Sequence, residues 1–216
     1  MKIGVLGTGD VGQKLGSGFV SLGHDVEMGS RDAHNKNLKA WVAANGEHAS
    51  GGTFAEAAKF GEVVVLATSW SGTENALKLA GPENLAGKIV VDATNPLIFP
   101  GGAPPPQLAL GWNDSAGEQV QRWLPAAKVV KCFNTVGNAL MVHPELPGGP
   151  PDMFIAGNDE AAKNVVAGFV KQFGWSVVDV GSIEGARLLE PLSILWVVYG
   201  MRNHSWEHAF KILHKT

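Results

Sequence analysis

The sequence has little cysteine, little charge of either sign and no long hydrophobic run, and each shortage excludes a class of protein. Its 216 residues include one cysteine, Cys132, so no intrachain disulfide can form. The formal net charge is only -3 and no stretch gathers like charges, which excludes the basic patch of a nucleic-acid or anionic-membrane partner. The longest apolar stretch, residues 188–201, is interrupted by Glu190 and Pro191 and is too short to span a bilayer. We therefore expect a soluble, cytoplasmic protein with no membrane insertion.

Short β-rich runs alternate with helical patterns along most of the chain, which is typical of an α/β protein. The predicted strands span residues 2–6, 25–28, 62–68, 88–94, 128–133, 153–156 and 176–180, with a weaker strand near residue 49. The predicted helices span residues 11–22, 37–45, 53–60, 73–79, 117–123, 160–173, 185–201 and 206–214. Breaker-rich segments at 99–107 and 144–151 are predicted as loops.

Two of the predicted strands have continuous apolar cores, at residues 63–66 and 89–91. Continuous rather than alternating hydrophobicity is typical of parallel strands that are buried on both faces. Together with the alternation of strands and helices, it predicts a Rossmann-type α/β fold. Its doubly wound, mostly parallel sheet is followed by a short C-terminal helical segment.

A glycine-rich turn follows the first predicted strand and opens the first predicted helix. It fits G-x-G-x-x-G in the context in which that motif binds a dinucleotide. Gly7 permits the tight turn, Gly9 lets the backbone approach a pyrophosphate, and Gly12 lets the helix pack closely on the strand. The helix N-terminus faces the anion. The predicted cofactor-binding residues of this turn are Gly7, Thr8, Gly9, Asp10, Val11 and Gly12.

The residues at the end of the second strand distinguish NAD from NADP. An NAD site usually has Asp or Glu there, where the carboxylate binds the ribose 2′-hydroxyl. Here Ser30 and Arg31 occupy the tip, and a guanidinium can bind a phosphate through two hydrogen bonds with a serine hydroxyl donating beside it. Lys36 could add a second cation, whereas Asp32 leaves NAD open as the alternative. The sequence therefore favours NADP(H).

The combination of residues 7–12 with Gly-Ser-Arg at 29–31 resembles the family of NADPH:coenzyme F420 oxidoreductases. The cytoplasmic NADPH-binding domain of the six-transmembrane metalloreductases belongs to the same superfamily. The likeness covers nearly the whole chain, although only the nucleotide motifs are specific. Residues 92–96 and 130–134 look like the metalloreductase branch, 187–192 resemble the terminal helix of the deazaflavin enzymes, and 157–163 and 178–181 match both branches loosely.

This resemblance implies roles for individual residues and an organisation for the chain. Thr8, Ser30 and Arg31 would hold the 2′-phosphate, and the nicotinamide side would be formed by Thr68, Ser69 and Trp70. Residues 1–182 would form the NADP-binding domain. The C-terminal helices, in residues 183–216, would pack on that domain or in the interface of a homodimer.

Ligands of an open α/β sheet bind beyond the carboxyl ends of its strands. Three predicted strand ends deliver polar residues to that edge, at 68–70, 94–96 and 134–135. Amide side chains can hydrogen-bond a carboxamide or a heterocycle without taking a proton. The candidates near the nicotinamide are Asn95, Pro96, Asn134 and Thr135, and the catalytic candidates among them are Asn95, Asn134 and Thr135.

The sequence contains no Tyr-x-x-x-Lys pair and no obvious Ser-His-Asp set, and His143, the only histidine near a strand end, is interpreted as the end of a loop. Reduction of a ketone or imine needs a placed proton donor, whereas hydride transfer to a flavin or deazaflavin mainly needs two aligned rings. We therefore expect an NADP-dependent oxidoreductase that transfers a hydride between NADPH and F420, FMN or FAD. The alternatives are an NADPH-dependent reductase of a small carbonyl or imine and an NADP(H)-sensing regulatory protein.

Three further features are interpreted as structural. Residues 204–208 fit H-x-x-E-H, a metallopeptidase pattern, but they lie near the C-terminus of a dinucleotide-binding chain, so no metal site is predicted. Cys132 is interpreted as a small core residue inside a strand. Trp196, in the predicted terminal helix, indicates either a subunit interface or burial on the sheet.

Overall fold

A computed structural model describes residues 1–102 and 104–215. Ala103, in the loop predicted at 99–107, and Thr216, at the end of the segment predicted to be helical, lie outside the described residues. Among the described residues, no helix has both the length and the apolar character that a membrane crossing requires.

The strands and helices alternate as the hydrophobic pattern predicts. The strands are β1 (Lys2–Leu6), β2 (Asp25–Ser30), β3 (Ala49–Thr53), β4 (Val63–Leu66), β5 (Ile89–Asp92), β6 (Leu97–Ile98), β7 (Gln107–Leu108), β8 (Lys128–Lys131), β9 (Asp152–Gly157) and β10 (Ser176–Asp179). The helices are α1 (Asp10–Ser21), α2 (Lys36–Asn45), α3 (Phe54–Phe60), α4 (Trp70–Ala80), α5 (Pro82–Leu85), α6 (Ala116–Trp123), α7 (Glu160–Gln172) and α8 (Ala186–Asn203).

Eight of these strands form one sheet in the order β10-β9-β8-β5-β4-β1-β2-β3. All neighbouring pairs are parallel except β8 and β9, so the prediction of a doubly wound, mostly parallel sheet is confirmed. The chain leaves β1 toward β2 and β3, then returns to the other side of β1 with β4. This reversal is the topological switch point at which open α/β sheets bind ligands. The short strands β6 and β7 form a separate antiparallel pair inside the segment that follows β5.

The strand β4 shows why its hydrophobic run is continuous. Val63 and Val65 belong to the core on one face of the sheet, with α1, α2 and α7. Val64 and Leu66 belong to the core on the other face, with α3, α4 and α6. Because both faces are covered by helices, the strand has no polar side, as expected for a buried parallel strand.

The C-terminal end differs from the prediction. Residues 206–214 do not form the predicted helix. The helix α8 ends at Asn203, and the left-handed φ of 49° at the next residue, His204, turns the chain back. The tail is instead held by hydrogen bonds to β9 and α8: Phe210 O accepts from Asp152 N, and Trp196 Nε1 donates to His208 O at 2.8 Å. Trp196 is therefore buried within a single chain, against Trp206 and His208, rather than left for a subunit interface.

Candidate dinucleotide-binding site

A cleft of about 720 Å³ opens at the carboxyl edge of the sheet, at the switch point between β1 and β4. The segments predicted to bind the cofactor meet there: the glycine turn after β1, the tip of β2 and the residues after β4. The lining residues are Gly7, Thr8, Gly9, Ser30, Arg31, Asp32, Asn35, Phe54, Ala67, Thr68, Ser69, Ser71, Gly72, Asn75 and Ala76.

The three glycines of the turn differ in what a side chain at each position would meet. Gly7 has a φ of +128°, and a Cβ atom there would collide with the carbonyl oxygen of Ala67. A Cβ atom on Gly12 would collide with the carbonyl oxygen of Gly7, so only glycine lets α1 pack so closely on the turn. Nothing lies within 4 Å of a Cβ atom built on Gly9, which therefore borders open space in the cleft.

Two helices begin at the cleft without a side-chain cap. Gly9 precedes α1 and Ser69 precedes α4, and neither makes a side-chain hydrogen bond to the first turn. Side chains cap α2, α3, α6 and α7, whereas α5 and α8, which do not line the cleft, are also uncapped. Uncapped amides and the positive end of the helix dipole both attract anions. The cleft is therefore built to receive negatively charged groups at two points.

The tip of β2 presents a cation to the cleft. Ser30 Oγ donates to the carbonyl oxygen of Asp32 at 2.5 Å and accepts from its amide at 3.1 Å, while Asp32 Oδ1 accepts from His34 N at 2.8 Å. Arg31 is exposed, and no acidic side chain within the described residues lies at ion-pair distance from its guanidinium. Arg31 is therefore available to an anionic ligand, whereas the Asp32 carboxylate is engaged in its own turn.

Several predicted residues lie outside the lining of this cleft. Lys36 is exposed at the start of α2, and Asp10 faces a neighbouring groove together with Gln13. Val11 packs against the core. The ring of Trp70 stacks on that of Trp123, with 5.5 Å between centroids and 23° between planes, so its structural role is to join α4 to α6.

Sequence analysis missed seven residues of the lining: Asn35, Phe54, Ala67, Ser71, Gly72, Asn75 and Ala76. Ser71 and Asn75 are four residues apart on α4 and share a helix face. A polar pair at this spacing in the first turns after a strand end is a signal that could have identified them. Asn35 gives only a helix-cap signal, since its side chain accepts from the amides of Asn37 and Leu38.

The catalytic candidates Asn95 and Asn134 are brought together beyond β5 and β8, and we call them the amide pair. Asn95 Nδ2 donates to Asn134 O at 2.8 Å, and Asn134 Nδ2 donates to Asn95 Oδ1 at 3.0 Å and to Leu189 O at 3.0 Å. Asn134 is only 3% exposed, and its Oδ1 has no hydrogen-bond partner among the described residues. Thr135 is buried beside it. The hydrogen bonds of the pair thus fix the orientation of both side-chain amides.

Phe133 sets the position of Asn134. Its φ of 62° lies in the left-handed region, which is unfavourable for a bulky residue. The Phe133 ring is buried in the core, 5.9 Å from the ring of Phe173. Core packing of the ring therefore holds the backbone in this strained turn, directly before the functional candidate.

The glycine turn and the Asn95–Asn134 pair lie along the same edge of the sheet. The ladder continues past the strand ends, with Ala67 N donating to Leu6 O, Ala93 N to Leu66 O and Cys132 N to Asp92 O. Neighbouring strands lie roughly 4.8 Å apart, so β1 and β8 are roughly 14 Å apart across three spacings. The glycine turn and the Asn95–Asn134 pair therefore face the same edge at the separation of two ends of one extended ligand.

A buried ionic cluster lies directly behind the pair. Lys131 Nζ is 3.0 Å from Asp92 Oδ2, 2.8 Å from Glu190 Oε1 and 2.6 Å from Thr94 O, and the three charged side chains are at most 2% exposed. Glu190 also accepts from the amides of Ala116 and Gly117 at the start of α6. Burial lowers the pKa of Lys131, but attraction to Asp92 and Glu190 outweighs it and the pKa is raised. We call Asp92, Lys131 and Glu190 the buried triad.

Known proteins resemble this chain over most of its length. A family model described as NADP oxidoreductase coenzyme F420-dependent matches residues 2–96. An F420-dependent NADP reductase from Methanocaldococcus jannaschii is 33% identical over 206 residues, which are 91% of each chain. This chain belongs to the F420-dependent NADP reductase family. The predicted resemblance and the predicted class, an NADP-dependent oxidoreductase, are thereby confirmed.

Two further comparisons agree with this membership. Metalloreductase STEAP3 from Rattus norvegicus is 31% identical over 197 residues, which are 90% of this chain but only 37% of that protein. The solved structure of a protein from Arthrobacter sp. FB24, provisionally named an F420-dependent NADP reductase, shares 41% identity and a TM-score of 0.92. The alignment covers 99% of this chain and 100% of that one.

His143 and the H-x-x-E-H pattern at residues 204–208 are the remaining candidates from the sequence, and neither lines the cleft. His143 donates its amide to Phe173 O, and Phe173 packs where a Cβ atom on Gly18 would stand, near the end of α1. Since α1 starts at the cleft, His143 lies at the opposite edge of the sheet. In the part of the chain that the structure describes, no group of three or more His, Cys, Asp or Glu side chains could hold a metal ion.

Cys132 is a buried residue that follows β8 rather than lying inside it. Burial raises the pKa of its thiol well above the ordinary value. A thiol that is both buried and protonated is neither a nucleophile nor a metal ligand, so Cys132 has the core role that the sequence indicates.

Proposed function

We propose that this protein binds NADP(H) along the carboxyl edge of the sheet and transfers a hydride between NADPH and a flat heterocyclic acceptor, F420 or a flavin. The observation that carries the proposal is the joining of the uncapped N-terminus of α1 and the free guanidinium of Arg31 in one cleft. The pyrophosphate would lie at Gly9 and the 2′-phosphate at Arg31, with the Ser30 hydroxyl and Thr8 beside it.

The nicotinamide would then extend along Thr68 and Ser69 toward Asn95 and Asn134. Asn95 is the partly exposed member of the pair and would meet the carboxamide, whereas Asn134, buried behind it, would hold Asn95 in position. The two donors of Asn134 Nδ2 are already used on Asn95 and Leu189. In this proposal the amides and Thr135 orient the ring, and Pro96 fixes the turn that carries Asn95.

The acceptor would bind in an adjoining apolar pocket of about 570 Å³. Its lining residues are Leu108, Ala109, Leu110, Gly111, Trp112, Arg187, Leu188 and Pro191. This pocket adjoins the amide pair, because Ala109 N donates to Pro96 O and Leu189 O accepts from Asn134. Mostly aliphatic walls with one aromatic ring and one cation suit a flat conjugated ring with an anionic substituent.

The protein groups near the amide pair favour hydride transfer without a protein acid. All three donors of Lys131 are used, on Asp92, Glu190 and Thr94, so Lys131 has no proton to offer. Bound NADPH would supply the hydride from its nicotinamide, and a flavin or deazaflavin carries its own heterocyclic chemistry. The chain would contribute binding, alignment of the two rings and exclusion of water.

A homodimer belongs to the same proposal. The outer face of α8 exposes Leu188, Leu195 and Tyr199 at 69%, 56% and 52%, in one stripe. A second copy of the chain would cover Leu195 and Tyr199 and border the acceptor pocket at Leu188, in the homodimer that the resemblance implies. The division of the chain at residue 182 and the cytoplasmic location stay predictions.

The test is a titration of the purified protein with NADPH and NADH, followed by addition of F420, FMN and FAD to the NADPH complex while NADPH absorbance is recorded. The proposal expects tight binding of NADPH, weak binding of NADH and oxidation by one of the three acceptors. Equal binding of both nucleotides would contradict the 2′-phosphate site. Binding of NADPH with rapid reduction of a simple carbonyl or imine would replace the acceptor, and binding without any oxidation would favour the sensor.

A further inference from the structure

The buried triad has an excess of one negative charge. Lys131 is protonated, and each oxygen of the two carboxylates accepts a hydrogen bond: Asp92 from Thr94 and Lys131, and Glu190 from Lys131 and the start of α6. Each carboxylate oxygen accepts from at least one N–H group that can only donate: Thr94 N and Lys131 Nζ at Asp92, and Lys131 Nζ and the first amides of α6 at Glu190. Both acids are therefore ionised. The formal sum, two negative charges and one positive, is one negative charge.

This charge lies one residue away from both members of the amide pair. Lys131 Nζ contacts the carbonyl oxygen of Thr94, the residue before Asn95. Glu190 follows Leu189, whose carbonyl oxygen accepts from Asn134. The buried triad is fully shielded from water, so its field is weakly screened on the side of the site.

We infer that the buried triad biases the redox equilibrium of the bound cofactor by stabilising the oxidised, positively charged nicotinamide over the neutral reduced ring. The inference rests on the proposed function, because it takes the nicotinamide to lie at Asn95 and Asn134. Loss of a hydride makes the nicotinamide ring cationic, and a nearby negative charge lowers the free energy of that form only. The triad residues act through space and do not touch the ring, so they are positioning residues.

The electrostatic effect of the buried triad on cofactor binding is large enough to measure. One unit charge roughly 10 Å away, in protein of effective dielectric constant about 20, changes a binding constant by about tenfold. The positive end of α6, which donates to Glu190, reduces this effect without cancelling it, because a helix end carries about half a unit charge. The bias raises the affinity for NADP+ relative to NADPH and makes bound NADPH a stronger hydride donor.

The experiment compares variants by their net charge. Glu190→Gln and Asp92→Asn each bring the buried triad to zero, whereas Lys131→Gln combined with Glu190→Gln breaks the cluster but keeps one negative charge. The readout is the ratio of the dissociation constants of NADPH and NADP+, measured by titration at pH 8 without any acceptor. We expect each single variant to lower this ratio by about tenfold, which equals about 30 mV for a two-electron couple, and the double variant to retain the ratio of the wild-type protein.

The outcomes separate charge from structure. An unchanged ratio in both folded single variants, or an equal shift in the double variant, overturns the inference. If the single variants do not fold, the triple variant Asp92→Asn/Lys131→Gln/Glu190→Gln decides, since it is also neutral, leaves no charge without a partner, and should lower the ratio by the same factor of about ten. A wild-type protein that binds neither nucleotide would overturn the proposed function instead.

Discussion

Asn95 and Asn134 fix each other's amide orientation across the ends of two neighbouring strands. Each side chain donates to the other residue, at 2.8 and 3.0 Å, so rotating either amide by 180° would set donor against donor or acceptor against acceptor. We expect Asn134→Ala to reduce stability by about 1–3 kcal/mol, because Asn95 Oδ1 and Leu189 O then lose a buried partner. In urea denaturation, the double variant Asn95→Ala/Asn134→Ala should cost less than the sum of the single variants. Strict additivity would show that the pair is not coupled.

The assignment of the 2′-phosphate predicts a selective loss of affinity. Replacing Arg31 by Ala removes a charged hydrogen-bond donor, which is worth about 1.5–3 kcal/mol, so NADPH should bind about 10- to 100-fold more weakly. Binding of NADH, which has no 2′-phosphate, should be unchanged. Lys36→Ala is the matched control, since Lys36 is exposed nearby but outside the cleft. Equal losses for both nucleotides in the Arg31 variant would contradict the assignment.

The glycine turn offers a pair of substitutions with opposite results. Gly9 has φ -79° and ψ 179°, which alanine adopts freely, and its Cβ atom would meet only open cleft. We expect Gly9→Ala to leave the melting temperature unchanged and to weaken NADPH binding by at least about tenfold, or about 1.4 kcal/mol. Gly12→Ala should instead cost about 1–3 kcal/mol of stability, because its methyl group meets the carbonyl oxygen of Gly7. Calorimetry without ligand, followed by titration, separates the two effects.

The ion pair between α6 and α8 predicts a specific pH dependence. Hydrogen bonds from Arg187, at 2.8 and 2.5 Å, lower the pKa of Glu118 below its ordinary value of 4.5. Because the folded pKa is the lower one, the stabilisation is complete above pH 4.5 and is lost as the pH falls through the folded value. The stability difference between the wild-type protein and Glu118→Gln should therefore be constant near neutral pH and shrink in acid. Urea denaturation between about pH 3 and 7 measures it; a difference that grows in acid would contradict the assigned pair.

The exposed stripe of α8 predicts how the oligomer can be broken. Leu195→Asp changes a side chain that is 56% exposed, so the chain should fold as before. We expect sedimentation analysis to find monomers of this variant and dimers of the wild-type protein, because a charge would be buried without a partner in the interface. Leu79→Asp, at a 49% exposed leucine on α4, is the control that should remain dimeric. A monomeric wild-type protein would leave the stripe without the proposed partner.

The sequence alone predicted those parts of the site whose geometry is set by nearby residues or by the parallel sheet. The need for glycine at positions 7 and 12 could be predicted from the motif. A Cβ atom at either position would collide with a backbone carbonyl oxygen. Asn95 and Asn134 could be paired from 39 residues apart because the carboxyl ends of parallel strands share one edge. The helix predicted at 206–214 was wrong because amphipathic spacing also suits a tail that packs one side on α8 and bonds to β9.

The contacts of the buried triad could not be predicted from the sequence, although the positions of Lys131 and Glu190 are unusual for charged residues. Lys131 ends an apolar strand, and Glu190 interrupts the apolar pattern of α8, and a charge in such a place needs a partner. Nothing in the pattern says that these two charges, 59 positions apart, meet each other and Asp92. That meeting depends on how α8 lies across the sheet edge, which is a property of tertiary packing.

The contacts of α8 with the amide pair determine when during synthesis the proposed site can be completed. All residues that line the dinucleotide cleft precede position 77, whereas the amide pair depends on Leu189 and Glu190 of α8. On the ribosome, the half that would hold the phosphates emerges more than a hundred residues before the half that would hold the nicotinamide. The amide pair would therefore lack its contacts to α8 until synthesis has passed Glu190, so alignment of the nicotinamide would be the last part of the proposed site to be completed.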